Sequence, residues 1–98
     1  MRATMRVRWL KTANRNLNAA MEYIAREDPE VAETIYKHIR SRVADLALNP
    51  ESGRPGRVFG TRELVFDKYP YIVPYRVRGN EIQIIRVFHT SQRPPEAW

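Results

Sequence analysis

The stretch of residues 71–91, YIVPYRVRGNEIQIIRVFHTS, limits most strongly what this chain can fold into. Residues 71–77 and 81–89 are rich in β-branched and aromatic side chains, which favour β-strands. Between them, Gly79 and Asn80 are residue types that tolerate positive φ, so the backbone can reverse there without strain. The sequence therefore predicts a two-stranded hairpin in this part of the chain.

The first half of the chain predicts a short strand followed by a helix. Arg6–Trp9 alternates polar and apolar residues, as an edge strand does. From residue 10 to residue 24 apolar side chains recur every three or four positions, which places them on one helical face. The hydroxyl of Thr12 can accept a hydrogen bond from the first turn, so Thr12 is the expected cap of this helix.

A second helix is predicted directly after the first. Asp28 followed by Pro29 is a start signal, with the carboxylate at the cap and the ring at the first helical position. An apolar stripe then runs to Leu46, and Asn49 with Pro50 ends the helix. Two amphipathic helices joined by so short a link are expected to lie as an antiparallel hairpin.

The segment between the helices and the central hairpin predicts a loop and a third strand. Residues 51–57 hold two glycines, one proline and two arginines, which is typical of a basic loop. Residues 61–66 form the next expected strand. Pro74, inside the strand that follows, removes one ladder donor and predicts a bulge or a locally unpaired edge. The tail, residues 92–98, is expected to be irregular.

The order of the elements, β-α-α-β-β-β, predicts an α+β fold. A helical hairpin would pack on one face of a small, mainly antiparallel four-stranded sheet, and the other face would be free to bind. Both faces of the last strand are partly apolar, so the face that the helices cover stays open. We expect one domain over residues 1–98, with residues 1–5 disordered, or with residues 1–4 as extra residues ahead of a start at Met5.

Charge and composition limit the classes of partner, cellular location and cofactor that are expected. The 17 Lys and Arg against 11 Asp and Glu give a net charge of +6, which favours nucleic acid or an acidic protein segment as partner. The alternative is a surface that is merely somewhat basic. No cysteine, signal-like segment or membrane-length apolar run is present, so a cytoplasmic location is expected. No phosphate-binding glycine loop or Cys/His set is found, and no cofactor or metal is expected.

Three residues could supply acid–base chemistry for cleaving RNA without a metal. Histidine is the residue type that can most readily exchange a proton near neutral pH, so His89 could act as an acid or base. Arg86 could stabilise a phosphorane, and Glu63 could act as a base. A lone histidine at a strand end is more often a structural hydrogen-bonding residue, and this alternative stays open. His38, on the polar side of the second helix, is expected to be solvated.

The arginines of the second half are candidates for binding a target or a partner protein. On the predicted strands they would either form an exposed guanidinium cluster or pair with acids across the sheet. Others in the loop and the tail, together with the terminal tryptophan, would extend such a patch. The candidate binding residues are Arg54, Arg57, Arg62, Arg76, Arg86, Arg93 and Trp98.

Four segments, in this order and spacing, are similar to the RelE/ParE superfamily of toxins from bacterial type II toxin–antitoxin modules. They are LNPESGRPGR, GTRELV, YIVPYRV and IQIIRVFHTSQRP, and the resemblance extends from residue 7 to about residue 95. It implies the same helix and strand layout, a cognate antitoxin that wraps the toxin with an acidic or amphipathic segment, and a hetero-oligomeric complex of the two.

The resemblance implies two alternative targets. RelE-like members cleave mRNA on the ribosome, whereas ParE-like members poison DNA gyrase. Glu63 and Ile72 stand near the positions of a lysine and an arginine of the RelE-like set, and Trp98 replaces a tyrosine. The run RVFHTS resembles the ParE branch. We therefore expect a growth-inhibiting toxin that binds gyrase. The alternatives are an mRNA endonuclease that uses Glu63, Arg86 and His89, and a non-toxic RNA-binding module.

Overall fold

A computed structural model of the chain describes residues 4–93 and 96–98. Two helices pack on one face of a mixed sheet. In chain order the elements are β1 (Arg6–Trp9), α1 (Lys11–Ala25), α2 (Pro29–Ala44), a 3-10 turn (Asp45–Ala47), β2 (Arg54–Pro55), β3 (Arg62–Val65), β4 (Tyr71–Arg78), β5 (Glu81–Ile84) and β6 (Phe88–His89). The predicted α+β class and the predicted helical hairpin are confirmed.

The sheet has the strand order β1-β5-β4-β3-β2, and β6 continues β5 alongside β4. The pair β1 and β5 is parallel, and the other described pairs are antiparallel. The described residues form six strands where the sequence predicts four. The predicted loop 51–57 contains β2, and the predicted last strand is divided into β5 and β6.

The division of the last strand is a bulge opposite Pro74. Ile84 pairs with Tyr75 and Phe88 pairs with Ile72, so the β5–β6 side holds one more residue than β4. The carbonyl of Pro74 accepts from the Ile85 N–H at 3.0 Å, but its nitrogen has no hydrogen to return. The interruption that Pro74 predicts is therefore confirmed. Each residue after the bulge projects from the face of the sheet opposite to the one that uninterrupted alternation would give.

The helices cover the face that carries the odd-numbered residues of β4. Val73 and Tyr75 are fully buried there, beside Ile82 and Ile84 of the neighbouring strand. The helices contribute a set of buried apolar residues to the same core: Ala13, Leu17, Ile35, Ile39 and Val43. We call the side of the sheet opposite the helices, which carries Glu63, Pro74 and Arg76, the open face. Glu63 and Pro74 are themselves buried by neighbouring residues, so the side predicted to be free to bind is exposed only in part.

The two helix starts differ from each other in their capping. The Asp28 carboxylate accepts from the Val31 N–H at 3.1 Å, and Pro29 begins α2, as predicted. Thr12 does not cap α1, and that prediction is wrong. The Leu10 N–H is bonded to the Ile84 carbonyl at 3.0 Å, so β1 runs directly into a helix whose cap residue is Leu10.

The two ends of the chain are partly described. The Met5 N–H donates to the Ala47 carbonyl at 3.2 Å, so Met5 is fixed on the fold. Gln92, Arg93 and residues 96–98 belong to no helix or strand. The expectations for residues 1–3, 94 and 95 lie outside the described residues. Within the described part of the chain, neither helix has the length and apolarity needed to cross a membrane.

Candidate functional site

Glu63 is the centre of a charged cluster on the open face. It pairs with Pro74 of β4 on one side and with Arg54 of β2 on the other, and its side chain is 2% exposed. Its Oε1 accepts from Arg54 Nε at 3.2 Å and from Arg54 Nη2 at 2.9 Å. Its Oε2 accepts from the Arg57 backbone N–H at 3.0 Å and from Arg57 Nε at 3.3 Å.

These hydrogen bonds decide the protonation state of Glu63. Burial would raise the pKa of this carboxyl group, but the backbone N–H of Arg57 and the two guanidinium groups outweigh burial and hold the pKa below its ordinary value. Glu63 is therefore ionised at neutral pH. Because all four bonds go to the ionised form, it is a poor acceptor for a further proton.

The loop before β2 is tied to the sheet by Tyr75. The Tyr75 hydroxyl accepts from the Gly53 N–H at 2.9 Å and donates to the Pro50 carbonyl at 2.8 Å. Burial raises the pKa of the Tyr75 hydroxyl, so it remains protonated. A Cβ at Gly53 would lie 2.6 Å from the Tyr75 ring, which explains why glycine fits here. This contact sets the position of Arg54, one residue later.

The turn between β2 and β3 presents an exposed aromatic side chain. The Thr61 N–H donates to the Val58 carbonyl at 3.1 Å, and Gly60 has a φ of 81°, as the third residue of a type II turn requires. Phe59 stands at the tip and is fully exposed. Single exposed apolar residues are common on protein surfaces. Phe59 is nevertheless a candidate contact for a partner, because burying a fully exposed large apolar side chain is favourable and the ordered turn already holds it in place.

The C-terminal tryptophan lies beside this hairpin. The rings of Phe88 and Trp98 are 5.6 Å apart, and the Arg57 guanidinium lies 5.3 Å from the Trp98 ring. Arg86 Nε donates to the Trp98 carbonyl at 3.2 Å. The indole N–H of Trp98 is buried and has no hydrogen-bond partner among residues 4–93 and 96–98. We call Arg57, Phe59, Arg86 and Trp98 the hairpin-tip patch.

His89 faces the helices instead. It pairs with Tyr71, its ring lies 5.2 Å from the Tyr71 ring, and its Nδ1 accepts from the Ser91 N–H at 3.0 Å. The Ser91 hydroxyl lies 2.6 Å from the same nitrogen. Because Nδ1 accepts from the Ser91 backbone N–H, the proton of a neutral ring is on Nε2.

A groove of about 310 Å³ runs between α1 and β6. Its apolar part contains Tyr23 and Tyr71, and the full lining is Asn16, Ala19, Ala20, Tyr23, Tyr71, Val87, His89 and Gln92. A second depression of about 230 Å³ shares Asn16, Val87 and Gln92 with it and adds Arg86 and Arg93. The two together, which we call the α1 groove, are apolar at one end and basic at the other.

Known proteins of the same kind match nearly the whole chain. The family model for the ParE toxin of the type II toxin–antitoxin system parDE matches residues 7–94. The chain belongs to the ParE toxin family. A relative in Sinorhizobium fredii (strain NGR234), named "Putative toxin Y4kP", is 42% identical over 91 residues, which are 93% of this chain and 94% of that protein.

A solved structure gives the same result. The toxin is similar to a chain of the chromosomal ParDE toxin–antitoxin system from P. aeruginosa, with 34% identity and a TM-score of 0.79 over 88% of this chain and 96% of that one. The toxin is therefore the growth-inhibiting component of a type II module, and its partner is a cognate antitoxin. Family membership favours this function over a non-toxic RNA-binding module.

The structure does not bring the three residues of the nuclease hypothesis together. Glu63 shares the open face with Pro74, whereas His89 shares the helix-covered face with Tyr71. Arg86 lies in the bulge and is bonded to the Trp98 carbonyl. In the described part of the toxin there is also no group of three metal-ligating side chains.

The predicted arginine cluster is divided into separate groups. Arg54 and Arg57 hold Glu63. Arg62 pairs with Tyr75 on the helix-covered side and donates to the carbonyls of Glu51 and Gly53, at 3.3 and 2.8 Å. Arg76 donates to Gln83. The strand arginines Arg62, Arg76 and Arg86 thus donate to carbonyls and an amide, and the pairing with an acid expected of them is made instead by Arg54 and Arg57.

Two features of the toxin differ from expectation or were missed. His38 is not simply solvated, because its ring packs edge-on at 5.6 Å from Phe66 and 5.3 Å from Tyr69. Phe59 did not appear among the candidate residues. The pair Phe59-Gly60 carried a signal, since a glycine in a loop favours the third position of a type II turn, which would place Phe59 at the second position of a surface turn.

Proposed function

We propose that this toxin inhibits DNA gyrase by binding to it, and that it does not cut mRNA. The observation that carries the proposal is the state of Glu63, whose two carboxylate oxygens each accept two hydrogen bonds from Arg54 or Arg57. A general base needs a free lone pair and a pKa matched to its task. Glu63 has a lowered pKa and acts as a structural ion-pair centre.

The position of His89 supports the same proposal. A second acid–base group would have to reach the same phosphate as Glu63, and His89 lies on the other face of the sheet, against Tyr71. The resemblance to the ParE branch, whose members poison gyrase, supplies the identity of the target. A toxin that binds DNA gyrase and is neutralised by an antitoxin acts in the cytoplasm.

The hairpin-tip patch is the proposed contact with the target protein. It combines a fully exposed phenylalanine with two arginines and a tryptophan, the residue types that dominate binding energy at protein interfaces. Arg57 is held by Glu63, so less side-chain entropy is lost when it binds. Glu63 therefore contributes to target binding indirectly, by fixing the hairpin that carries Phe59.

The α1 groove is the proposed site of the antitoxin. Its end at Tyr23 and Tyr71 is apolar, and its other end carries Arg86 and Arg93. An amphipathic acidic segment matches both ends, with apolar anchors that supply affinity and carboxylates that speed encounter. Because Arg86 belongs to the groove and to the hairpin-tip patch, a bound antitoxin segment would also obstruct the target contact.

Two assays with the purified toxin test the proposed target. In a gyrase cleavage assay the toxin should accumulate gyrase–DNA cleavage complexes, and added antitoxin should prevent this. In a reconstituted ribosome assay the toxin should leave mRNA intact. Ribosome-dependent mRNA cleavage without an effect on gyrase would reject the proposal in favour of the endonuclease.

A further inference from the structure

Four arginines occupy the open face at the end of the sheet away from Glu63. The register places Arg6, Glu81 and Arg78 in one row across β1, β5 and β4, and Arg8, Gln83 and Arg76 in the next row. Residues that pair across strands share a face, so all six side chains project from the open face. The four arginines stand at the corners of a rectangle with Glu81 and Gln83 between them.

Two hydrogen bonds and one ion pair, linked in a chain, orient two of the four guanidiniums. Arg76 Nε donates to Gln83 Oε1 at 2.7 Å, Gln83 Nε2 donates to Glu81 Oε1 at 2.8 Å, and Arg8 Nε lies 3.3 Å from the same Glu81 oxygen. Both arginines are thus held by Nε. Their terminal Nη groups make no hydrogen bond within the described residues, and these are the groups that bind phosphate oxygens in a forked geometry.

The other two arginines are free to bind. Arg6 and Arg78 are exposed, and neither forms an ion pair within the described residues. With Glu81 as the one acid among the six, the surface carries a net charge of +3. Like charges this close repel one another, so an anionic partner that lies across all four is strongly favoured.

We propose that this arginine rectangle binds the phosphate backbone of a nucleic acid. The spacing fits a phosphodiester chain: arginines two residues apart on one strand are about 6.6 Å apart, and the β1 arginines lie about 9–10 Å from the β4 arginines, across two strand spacings. All six side chains are polar. Protein interfaces depend on apolar or aromatic anchors, whereas backbone contacts to nucleic acid are polar and strongly positive.

The rectangle is separate from the surfaces proposed above for gyrase and the antitoxin. None of its residues belongs to the hairpin-tip patch or lines the α1 groove. The inference therefore stands whether or not gyrase is the target, and its test needs neither gyrase nor antitoxin. If the toxin does bind gyrase on DNA, the rectangle would contact the DNA while the hairpin-tip patch contacts the protein.

The test is a titration of the full chain against fluorescein-labelled 20-base-pair duplex DNA and the matching single strand, followed by anisotropy between 50 and 200 mM NaCl. Four phosphate contacts predict that log K falls against log[NaCl] with a slope of about −3.6 for duplex and about −2.8 for single strand. For duplex this is a loss of roughly 100-fold in affinity over the salt range. The larger affinity identifies which form is bound.

The variant that decides is Arg6→Gln with Arg78→Gln, since both side chains are exposed and unpaired and their loss leaves the fold intact. The duplex slope should become shallower by about 1.8, for two lost contacts. A second variant, Arg8→Gln with Arg76→Gln, should lose at least as much. The α1 control, Arg15→Gln on the helix with Arg26→Gln at the cap residue that follows it, removes the same charge from exposed positions and should keep the wild-type slope.

Three results would overturn the inference. The first is an unchanged slope in the Arg6/Arg78 variant, and the second is an equal change in the α1 control, which would mean that net charge alone is responsible. The third is tighter binding of a labelled 20-residue polyglutamate than of either nucleic acid at 100 mM NaCl, with the same sensitivity to Arg6→Gln and Arg78→Gln. That outcome would make the rectangle a docking site for an acidic protein.

Discussion

Arg57 binds one oxygen of the Glu63 carboxylate twice, from its backbone N–H at 3.0 Å and from its side-chain Nε at 3.3 Å. The backbone bond fixes the path of the hairpin, and the side-chain bond fixes the guanidinium against the Trp98 ring. A single buried acid thereby holds together the turn that exposes Phe59. We interpret Glu63 as a structural residue on which the binding surface depends.

Replacing Glu63 should change the acid stability of the toxin. The folded-state pKa of Glu63 lies below the ordinary value of 4.5. The ionised group therefore stabilises the fold fully above pH 4.5, and this contribution is lost as the pH falls through the folded-state pKa. Glu63→Gln should cost about 1–3 kcal/mol at pH 7, because donors of Arg54 and Arg57 lose a charged acceptor. Urea unfolding at pH 7 and pH 3 measures both effects.

The control for Glu63 is Glu33→Gln, which removes an exposed acid paired with Lys37 on α2. It should change the free energy of unfolding by less than about 0.5 kcal/mol. The difference in stability between pH 7 and pH 3 should be smaller in Glu63→Gln than in the unchanged chain. Equal differences in the two proteins would contradict the assigned role of Glu63.

Substitution of either Gly53 or Tyr75 should lower the stability of the fold, because the two residues are in close contact. A methyl group at Gly53 would lie 2.6 Å from Tyr75 Cε1, so Gly53→Ala forces a shift of buried groups at a cost of about 1–3 kcal/mol. Tyr75→Phe leaves the Gly53 N–H and the Pro50 carbonyl without their partner, which costs about 1–3 kcal/mol. Thermal unfolding followed by circular dichroism measures both.

Tyr23→Phe is the matched control for Tyr75→Phe, because the Tyr23 side chain is largely exposed. Its melting temperature should stay within about 2 °C of the unchanged chain. If Tyr75→Phe melts at the same temperature as Tyr23→Phe, the loop before β2 is not held in the way described.

Phe59 should matter for inhibition of the target and not for stability. Phe59→Ser removes a fully exposed ring from a turn that Gly60 and Thr61 define, so the melting temperature should not fall. If Phe59 is an anchor at the interface, inhibition of gyrase supercoiling should weaken by about 30-fold or more, which corresponds to a hot-spot loss of about 2 kcal/mol. Leu48→Ser, an exposed apolar residue of another loop, should leave inhibition unchanged.

Filling the α1 groove should separate toxicity from neutralisation. Ala19 is exposed in the groove, so Ala19→Trp should obstruct the antitoxin segment and leave the hairpin-tip patch intact. We expect the antitoxin to bind at least 10-fold more weakly by calorimetry, with undiminished inhibition of gyrase. Ala44→Trp, at an exposed position of α2 outside the groove, should bind antitoxin normally. Equal binding by both variants would place the antitoxin elsewhere.

The helices and the central hairpin could be predicted because their signals are local. Asp28 and Pro29 fix the start of α2 through one cap bond and one ring, with no help from the rest of the fold. Pro74 likewise predicted the bulge, since proline has no backbone N–H and interrupts the hydrogen-bond ladder wherever the strand lies in the sheet. Such features depend on residues close together in the chain.

The site could not be predicted in the same way. It depends on contacts between residues far apart in the chain, and on which face of the sheet each strand residue projects from. The two residues of β2 become a strand through Glu63 and Tyr75, which lie nine and more residues further on. Uninterrupted alternation from Ile84 would have placed His89 on the open face, and the one extra residue of the bulge turns it to the helices. The sequence showed that a bulge was favoured but not which residue it would redirect.

The His89→Ala variant, compared with the unchanged chain in the gyrase and ribosome assays, distinguishes inhibition by binding from cleavage of mRNA. If the toxin inhibits by binding, the variant and the unchanged chain should trap gyrase–DNA cleavage complexes at concentrations that agree within about twofold, because His89 lies on the opposite face from Glu63, and both should leave ribosome-bound mRNA uncut. Cleavage of mRNA in the ribosomal A site by the unchanged chain, abolished by His89→Ala, would contradict the account.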